Sequence, residues 1–185
     1  MKSLLLLPAS LLSVAAFSCA GSSNSQPASP AMSEADEKNS EPDSWQDWKN
    51  YTNVSPGAWI SNTHGKRFVE IYVNDIGLEA YKNLDTDMPV GSIVVKPSWE
   101  NQDGVAGESG PLFIMEKMPE GFAPDNGDWF YGFQWPDPPK EWADKIGKNP
   151  DWRSPSKKVD YCVGCHDIYD RNLGMPPEKR DKNSQ

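Results

Sequence analysis

The chain has 185 residues, a mean hydropathy of -0.70 and a formal net charge of -9 at pH 7. One domain is the natural expectation at this length, and eight Trp supply apolar surface for its core despite the polar average. The acidic balance argues against nucleic acid and anionic lipid as partners. It suits a basic protein partner, and it is equally an ordinary means of staying soluble.

The N-terminus predicts an export signal. Lys2 gives a short positive start, and residues 4–17 are apolar apart from a proline and a serine pair. Such a stretch is too short and broken to cross a membrane and is typical of a signal peptide. It ends at Cys19 after a small residue, which is similar to a bacterial lipobox, although Leu is preferred where Ala16 stands. We predict a signal peptide over 1–18 and lipidation of Cys19, with ordinary cleavage and a free thiol as the alternative.

The next segment predicts a flexible tether. Residues 20–43 are rich in Ser, Asn, Gln, Pro, Ala and Glu and show almost no apolar periodicity. A segment of this kind cannot offset the conformational entropy lost on ordering, so 19–43 are expected to link an anchored Cys19 to a folded domain. The domain is expected over 44–176, and residues 177–185 form a charged tail.

Short helices and antiparallel strands are expected to alternate in the domain. Helices are expected at 44–51, 75–82, 141–146 and 160–173, and strands at 67–73, 92–96, 111–118 and 128–135. Asn74 or Asp75 caps the second helix, and Asp160 caps the last one. Residues 100–110, with three Gly, are expected to be a loop, and 136–155 to be irregular. The fold class is therefore α+β, mainly antiparallel β-sheet with a few short helices.

The last helix carries the sequence Cys162-Val-Gly-Cys165-His166. This CxxCH pattern attaches a c-type haem: the thiols add to the haem vinyl groups, and the imidazole is the proximal iron ligand. The spacing suits one helical turn, because residues three and four apart share a face. A zinc site would need two more ligands, and the chain offers only Cys19 and His64 besides. A thioredoxin-type dithiol would follow a strand in a βαβ unit, which the pattern lacks. We predict one covalently attached haem c, whose assembly outside the bacterial cytoplasm requires export.

Alternation along two strands indicates which residues share a face. Ile93 and Val95 point to one side of their strand, and Val94 and Lys96 to the other. On the strand over 128–135, Trp and other aromatic residues occupy every second position. This row predicts a packed sheet face, and a wall against haem is one form that such a core can take.

The group opposite His166 decides between electron transfer and chemistry. His64, in the turn Asn-Thr-His-Gly, is one candidate for a second iron ligand; a hydrogen-bonded or surface histidine is the alternative. Met115 and Met118 lie on or beside a strand, where a packed Met is the simplest interpretation. Met175 follows His166 too closely to cross the ring easily. An open distal site is therefore expected, and an open iron binds or converts a small molecule.

Several segments together resemble a known family. They are Gly65-Lys-Arg-Phe-Val-Glu-Ile-Tyr-Val-Asn-Asp75, Pro89-Val-Gly-Ser-Ile-Val-Val-Lys96, Gly110-Pro-Leu-Phe-Ile-Met-Glu-Lys117 and Asn126-Gly-Asp-Trp129, followed by the CxxCH. Over residues 45–172 this order is similar to the cytochrome P-460 family, whose structural sister is cytochrome c′-beta. The resemblance implies a mainly antiparallel haem c protein with five-coordinate iron, often a homodimer.

The resemblance also implies roles for particular residues. In cytochrome P-460 proteins a Lys is joined covalently to a haem meso carbon, and Lys96 occupies the matching position; a Lys reaching into solvent is the alternative. Pro97 departs from the acidic residue expected next. These proteins oxidise hydroxylamine to nitrous or nitric oxide and pass electrons to a cytochrome partner. A distal carboxylate acts there as general base, and Glu116 and Glu120 are the candidates.

Three functions follow as competing hypotheses. The first is a periplasmic, membrane-anchored haem oxidoreductase that oxidises hydroxylamine or a similar small nitrogen compound. The second is a cytochrome c′-beta-like protein that binds nitric oxide or carbon monoxide without turnover. The third is a simple electron-transfer cytochrome c with six-coordinate iron.

Overall fold

Ten strands form two antiparallel sheets in the computed structural model, which describes residues 43–83, 85–167 and 173. In chain order the strands are β1 (Thr52–Asn53), β2 (Trp59–Ser61), β3 (Arg67–Val69), β4 (Tyr72–Val73), β5 (Ile93–Lys96), β6 (Ser98–Gln102), β7 (Val105–Ser109), β8 (Leu112–Lys117), β9 (Trp129–Gln134) and β10 (Asp151–Arg153). The α-helices are α1 (Asp75–Lys82), α2 (Lys140–Ile146) and α3 (Asp160–His166), with 3₁₀ helices at Asp43–Asn50, Pro124–Asn126 and Lys157–Val159. This confirms the predicted α+β class, led by antiparallel sheet.

The N-terminal and C-terminal predictions lie outside the described residues. They concern the signal peptide, Cys19, the tether, Met175 and the charged tail. Within the described ranges, no helix combines the length and the apolar character that crossing a membrane requires.

The larger sheet has six strands in the order β1-β4-β5-β8-β9-β10, and the smaller has four in the order β2-β3-β6-β7. The two faces of the larger sheet bury different clusters. One face carries Val94, Met115, Tyr131 and Phe133, and the helix α3 packs there. The opposite face buries a smaller cluster under the first 3₁₀ helix: Trp45, Ile93, Val95, Ile114 and Phe130. The predicted alternation of Val94 with Ile93 and Val95 is thus confirmed.

The strand expected over 67–73 is two strands in two sheets. β3 pairs with β2 and β6, whereas β4 pairs with β1 and β5. Between β3 and β4 the backbone is hydrogen-bonded outside both sheets: the N–H of Ile71 donates to Ser55 Oγ, and the carbonyl of Ile71 accepts from the N–H of Val54. The prediction of one continuous strand is therefore wrong: the chain passes from one sheet to the other at Glu70 and Ile71.

The loop expected over 100–110 is instead the hairpin β6–β7. Gln102 pairs with Val105, and the two residues between them, Asp103 and Gly104, have φ values of 52° and 90°. Positive φ at both central positions is the geometry of a type I′ turn, which Asp-Gly favours. The dipeptide Asp103-Gly104 indicates this turn in the sequence, whereas the three Gly of residues 100–110 favour a loop. A short strand, β10, also lies within the region expected to be irregular.

The cap of α1 ties that helix to the sheet. Asn74 is the N-cap, as predicted; its Oδ1 accepts from the N–H groups of Gly77 at 3.1 Å and Ile93 at 3.0 Å. Its Nδ2 donates to the carbonyl of Gly91 at 2.8 Å. The buried side-chain amide of Asn74 therefore satisfies backbone groups at the start of α1, at the start of β5 and in the turn before β5.

Replacing Asn74 with alanine should destabilise the protein by about 2 kcal/mol, because the change removes a cap and leaves buried backbone groups without partners. Urea unfolding of the wild type and the variant measures the difference. The matched control is Asn62→Ala, at an exposed turn position, which should change the free energy of unfolding little. Equal losses in the two variants would contradict the capping role.

Candidate haem site

The helix α3 presents the CxxCH motif to the larger sheet. Cys162 and His166 are half-buried and Cys165 is exposed. Neither thiol is in a disulfide. Burial raises the pKa of the Cys162 thiol to about 11, and the nearby Lys96 charge acts in the opposite direction. The motif thus lies on a helical turn with one thiol and the imidazole directed toward the core cluster.

The start of α3 differs from the prediction in one respect. Val159 is the N-cap and Asp160 is the first helical residue, so Asp160 does not cap the helix. The entry is fixed instead by the 3₁₀ turn before it, where Ser156 Oγ accepts from the N–H of Lys158 and Val159 is buried in the larger cluster. The predicted continuation to 173 runs into residues 168–172, which lie outside the described ranges.

An aromatic wall faces the motif. Tyr131 contacts His166 with ring centroids 5.7 Å apart. From there the wall continues through Phe113 and Phe133, 5.7 Å apart, and ends where Phe133 stacks on Trp152 at 4.8 Å. The rings come from β8, β9 and β10. The aromatic row predicted on β9 therefore does form a packed face, and the CxxCH helix lies against it.

Lys96 lies on this same face. It ends β5 opposite Phe113 of β8 and is half-buried. Its Nζ is 3.3 Å from Nε2 of His64. The structure therefore places Lys96 on the sheet face that the CxxCH helix covers and directs its amine into a contact within the protein.

His64 is the residue whose importance the sequence understated. Its ring lies 6.4 Å from that of His166 and 4.8 Å from that of Phe113, measured between centroids. Nδ1 is 2.7 Å from Ser61 Oγ. Burial, followed by the charges of Lys96 and His166, lowers the pKa of His64 from 6.5 to about 2, so the imidazole is neutral. The only signal in the sequence was that His64 is the one histidine outside the motif.

The two candidate carboxylates do not join this group. Glu116 pairs with Ile93 and Phe130, so it lies on the opposite face of the sheet from Lys96. It is 6 % exposed, and burial raises the pKa of its carboxyl from 4.5 to about 7. Glu120 is exposed in the connection between β8 and β9. The structure thus does not bring Glu116 together with Lys96, and it leaves Glu120 in solvent.

The strand methionines are also separated by the sheet. Met115 is buried in the larger cluster, on the face that α3 covers. Met118 packs with the smaller cluster on the other face. Of these two, only Met115 shares a face with His166, and it is part of the core.

The residues present fit a c-type haem. Two thiols outside any disulfide and one imidazole share a helical turn, an aromatic wall lies opposite, and a lysine amine ends at its edge. No group of three or more Cys, His, Asp or Glu within the described residues could hold a metal ion by itself. His166 is the residue of this turn that would ligate the iron of a bound haem.

A family model described as Cytochrome P460 matches residues 27–172 of the chain. The chain belongs to the cytochrome P460 family. A search of curated proteins found no match. Membership in the cytochrome P460 family makes this protein a mono-haem, iron-binding cytochrome of the c type, which agrees with the fit of haem to α3 and the aromatic wall.

Proposed function

We propose that this cytochrome P460 oxidises hydroxylamine or a similar small nitrogen compound. The observation that carries the proposal is that Lys96 lies on the face covered by the CxxCH helix, with its amine directed to His64 beside His166. Two hydroxylamine molecules yield nitrous oxide, water, four protons and four electrons. The electrons pass to a cytochrome partner. Bound haem supplies an iron that binds the nitrogen compound and accepts its electrons.

Four residues would attach the haem to the protein. Cys162 and Cys165 would form thioethers with the vinyl groups, and His166 would ligate the iron. Lys96 would add a fourth attachment by joining its Nζ to a meso carbon. That bond replaces one hydrogen on nitrogen and one on carbon, so two protons and two electrons leave. An oxidant of the peroxide class would take those electrons.

An open iron site is part of the proposal. Both ring nitrogens of His64 are engaged, Nδ1 by the Ser61 hydroxyl and Nε2 by the Lys96 amine. Met115 is held in the core, and Met118 is on the far side of the sheet. These contacts engage His64 and both methionines within the protein, which supports five-coordinate iron.

Adding carbon monoxide to the reduced protein should change its visible spectrum at once, because five-coordinate ferrous haem has a free position. Absorption spectroscopy before and after the addition checks this result. An unchanged spectrum would contradict both the enzymatic and the gas-binding functions and would leave the six-coordinate electron carrier. A c-type cytochrome with six-coordinate iron serves as the unreactive control.

A gas-binding protein of the cytochrome c′-beta kind is the second candidate. It is favoured by one specific observation: Glu116 faces away from Lys96, and Glu120 is exposed. Without an acid at the iron, proton removal from bound hydroxylamine loses its general base. Binding of nitric oxide or carbon monoxide needs no such group.

The setting proposed for either function is the periplasm. A signal peptide over 1–18 and lipidation of Cys19 would anchor the protein to a bacterial membrane. The acidic chain, with net charge -9, suits a basic cytochrome as electron acceptor. The resemblance further suggests a homodimer.

Mass spectrometry of a digest of the mature holoprotein tests the central proposal. We expect one haem to carry both the Cys162–His166 peptide and the peptide that contains Lys96. Haem on the CxxCH peptide alone would move the gas-binding function ahead. In that case the enzymatic proposal would require direct proof of hydroxylamine turnover.

A further inference from the structure

We propose that His64 is a positioning residue that holds the amine of Lys96 against the haem-binding face of the larger sheet. This proposal rests on the proposed function only in assigning the amine its use, which is to bond to a haem meso carbon. The contact itself joins the two sheets: His64 follows β2 of the smaller sheet, and Lys96 ends β5 of the larger one. Its Nε2–Nζ distance is 3.3 Å.

The turn that carries His64 is fixed on its own side. The N–H of His64 donates to the carbonyl of Ser61, which closes the turn after β2. The Ser61 hydroxyl, itself buried, lies 2.7 Å from Nδ1, and that of Thr63 lies 3.2 Å from the same atom. The hydroxyls of Ser61 and Thr63 therefore fix the rotation of the imidazole independently of Lys96, and this rotation directs Nε2 toward the lysine amine.

The chemistry of the two side chains fixes the direction of each hydrogen bond. A lysine ammonium has three donors and no acceptor, so Nε2 of His64 must accept. In a neutral imidazole the single ring hydrogen is then on Nδ1, where it donates to Ser61 Oγ. The chain of contacts from Ser61 through His64 to Lys96 thus has one consistent set of donors and acceptors.

Phe113 aligns the pair from the strand beneath. It is the register partner of Lys96 on β8, and its ring makes an edge contact with His64 at 4.8 Å between centroids. A lysine side chain has a flexible four-carbon stem and loses considerable rotamer entropy when its end is fixed. A hydrogen bond at Nζ together with a ring beside the stem offsets that loss and restricts where the amine can react.

The test compares His64→Leu, which removes the acceptor, with His64→Gln, whose amide oxygen can restore it. Lys66→Gln, at an exposed position of the same turn, is the matched control. All are made as full-chain holoproteins. Two quantities are measured by mass spectrometry: the fraction of haem joined to Lys96, and the rate at which acetic anhydride acetylates Lys96 in the fraction that is not joined.

If the wild type carries the Lys96–haem bond, its fraction should fall by about tenfold or more in His64→Leu, because one hydrogen bond to a charged group contributes a factor of roughly 10 to 100. The fraction should recover in His64→Gln and stay at the wild-type level in Lys66→Gln. If the wild type carries no such bond, that part of the proposed function fails, yet the positioning role is still tested. Lys96 should then be acetylated several-fold faster in His64→Leu than in the wild type, because the contact between its amine and His64 is lost.

Two results would overturn the inference. One is that the wild type and His64→Leu have the same fraction of haem joined to Lys96 or, where the wild type carries no such bond, the same rate of Lys96 acetylation. The other is an iron that is six-coordinate in the wild type and becomes five-coordinate in His64→Leu, which would make His64 an iron ligand.

Discussion

Lys96→Arg is expected to remove the bond between the side chain and haem and to lower hydroxylamine turnover by roughly 100-fold, the order of loss that follows when a reacting centre is displaced by about 1 Å. Arginine keeps the positive charge and the apolar stem. Its guanidinium stays protonated and cannot act as an amine nucleophile. The substitution therefore separates the reactivity of the amine from its charge. Steady-state turnover and mass spectrometry of the haem peptides give the two readouts.

The control is Lys66→Arg, the same change at an exposed position near His64, which should leave both readouts at wild-type values. Three patterns are informative. Loss of the haem bond with loss of turnover supports the proposed function. Loss of the bond with full turnover shows that the role assigned to Lys96 in the reaction is wrong. A wild type that binds carbon monoxide but neither carries the bond nor turns over hydroxylamine is a gas-binding protein.

Glu116→Gln is expected to stabilise the protein at pH 8 by up to about 3 kcal/mol and to change its stability little at pH 4. The carboxyl is 6 % exposed, and its Oε2 has no hydrogen-bond partner among the described residues. Burial raises its pKa from 4.5 to about 7. The folded state therefore holds a proton that the unfolded chain releases between those values, so the stability due to Glu116 falls as pH rises from about 4.5 to about 7.

Urea unfolding of both proteins at pH 4, 6 and 8 measures this effect. The advantage of the glutamine variant should be small at pH 4, intermediate at pH 6 and complete at pH 8. Glu120→Gln, an exposed site in the following connection, should match the wild type at all three pH values. A constant difference between Glu116→Gln and the wild type would show that Glu116 does not titrate in this range in the folded protein.

Much of the fold could be predicted from local patterns. The strands around β5, β8 and β9 follow from β-branched and aromatic runs, and α1 follows from the Asn74 cap. Local pattern could not reveal that residues 67–73 pass from one sheet to the other. The cause is a hydrogen bond from the N–H of Ile71 to the side chain of Ser55, which is distant in sequence. The hairpin β6–β7 was within reach, since Asp103-Gly104 is a strong turn signal.

The candidate site could be predicted only where its parts are contiguous or carried by a family pattern. The CxxCH motif is local, and Lys96 follows from the resemblance. The position of Glu116 depends on register: Lys96 opposite Phe113 places Glu116 opposite Ile93, three residues along each strand, and an odd separation reverses the face. His64 could not be placed at all, because its contact with Lys96 spans 32 residues and two sheets.

The crossing between the sheets has a consequence for the order of maturation. The CxxCH pentapeptide is complete in itself, so its thioethers can form on a chain that has not yet folded. The amine of Lys96 meets His64 only after the smaller sheet has docked its β2–β3 turn beside the end of β5. The proposed lysine attachment would then be the later event, and its yield would measure how many haem-loaded chains reached the native arrangement of both sheets.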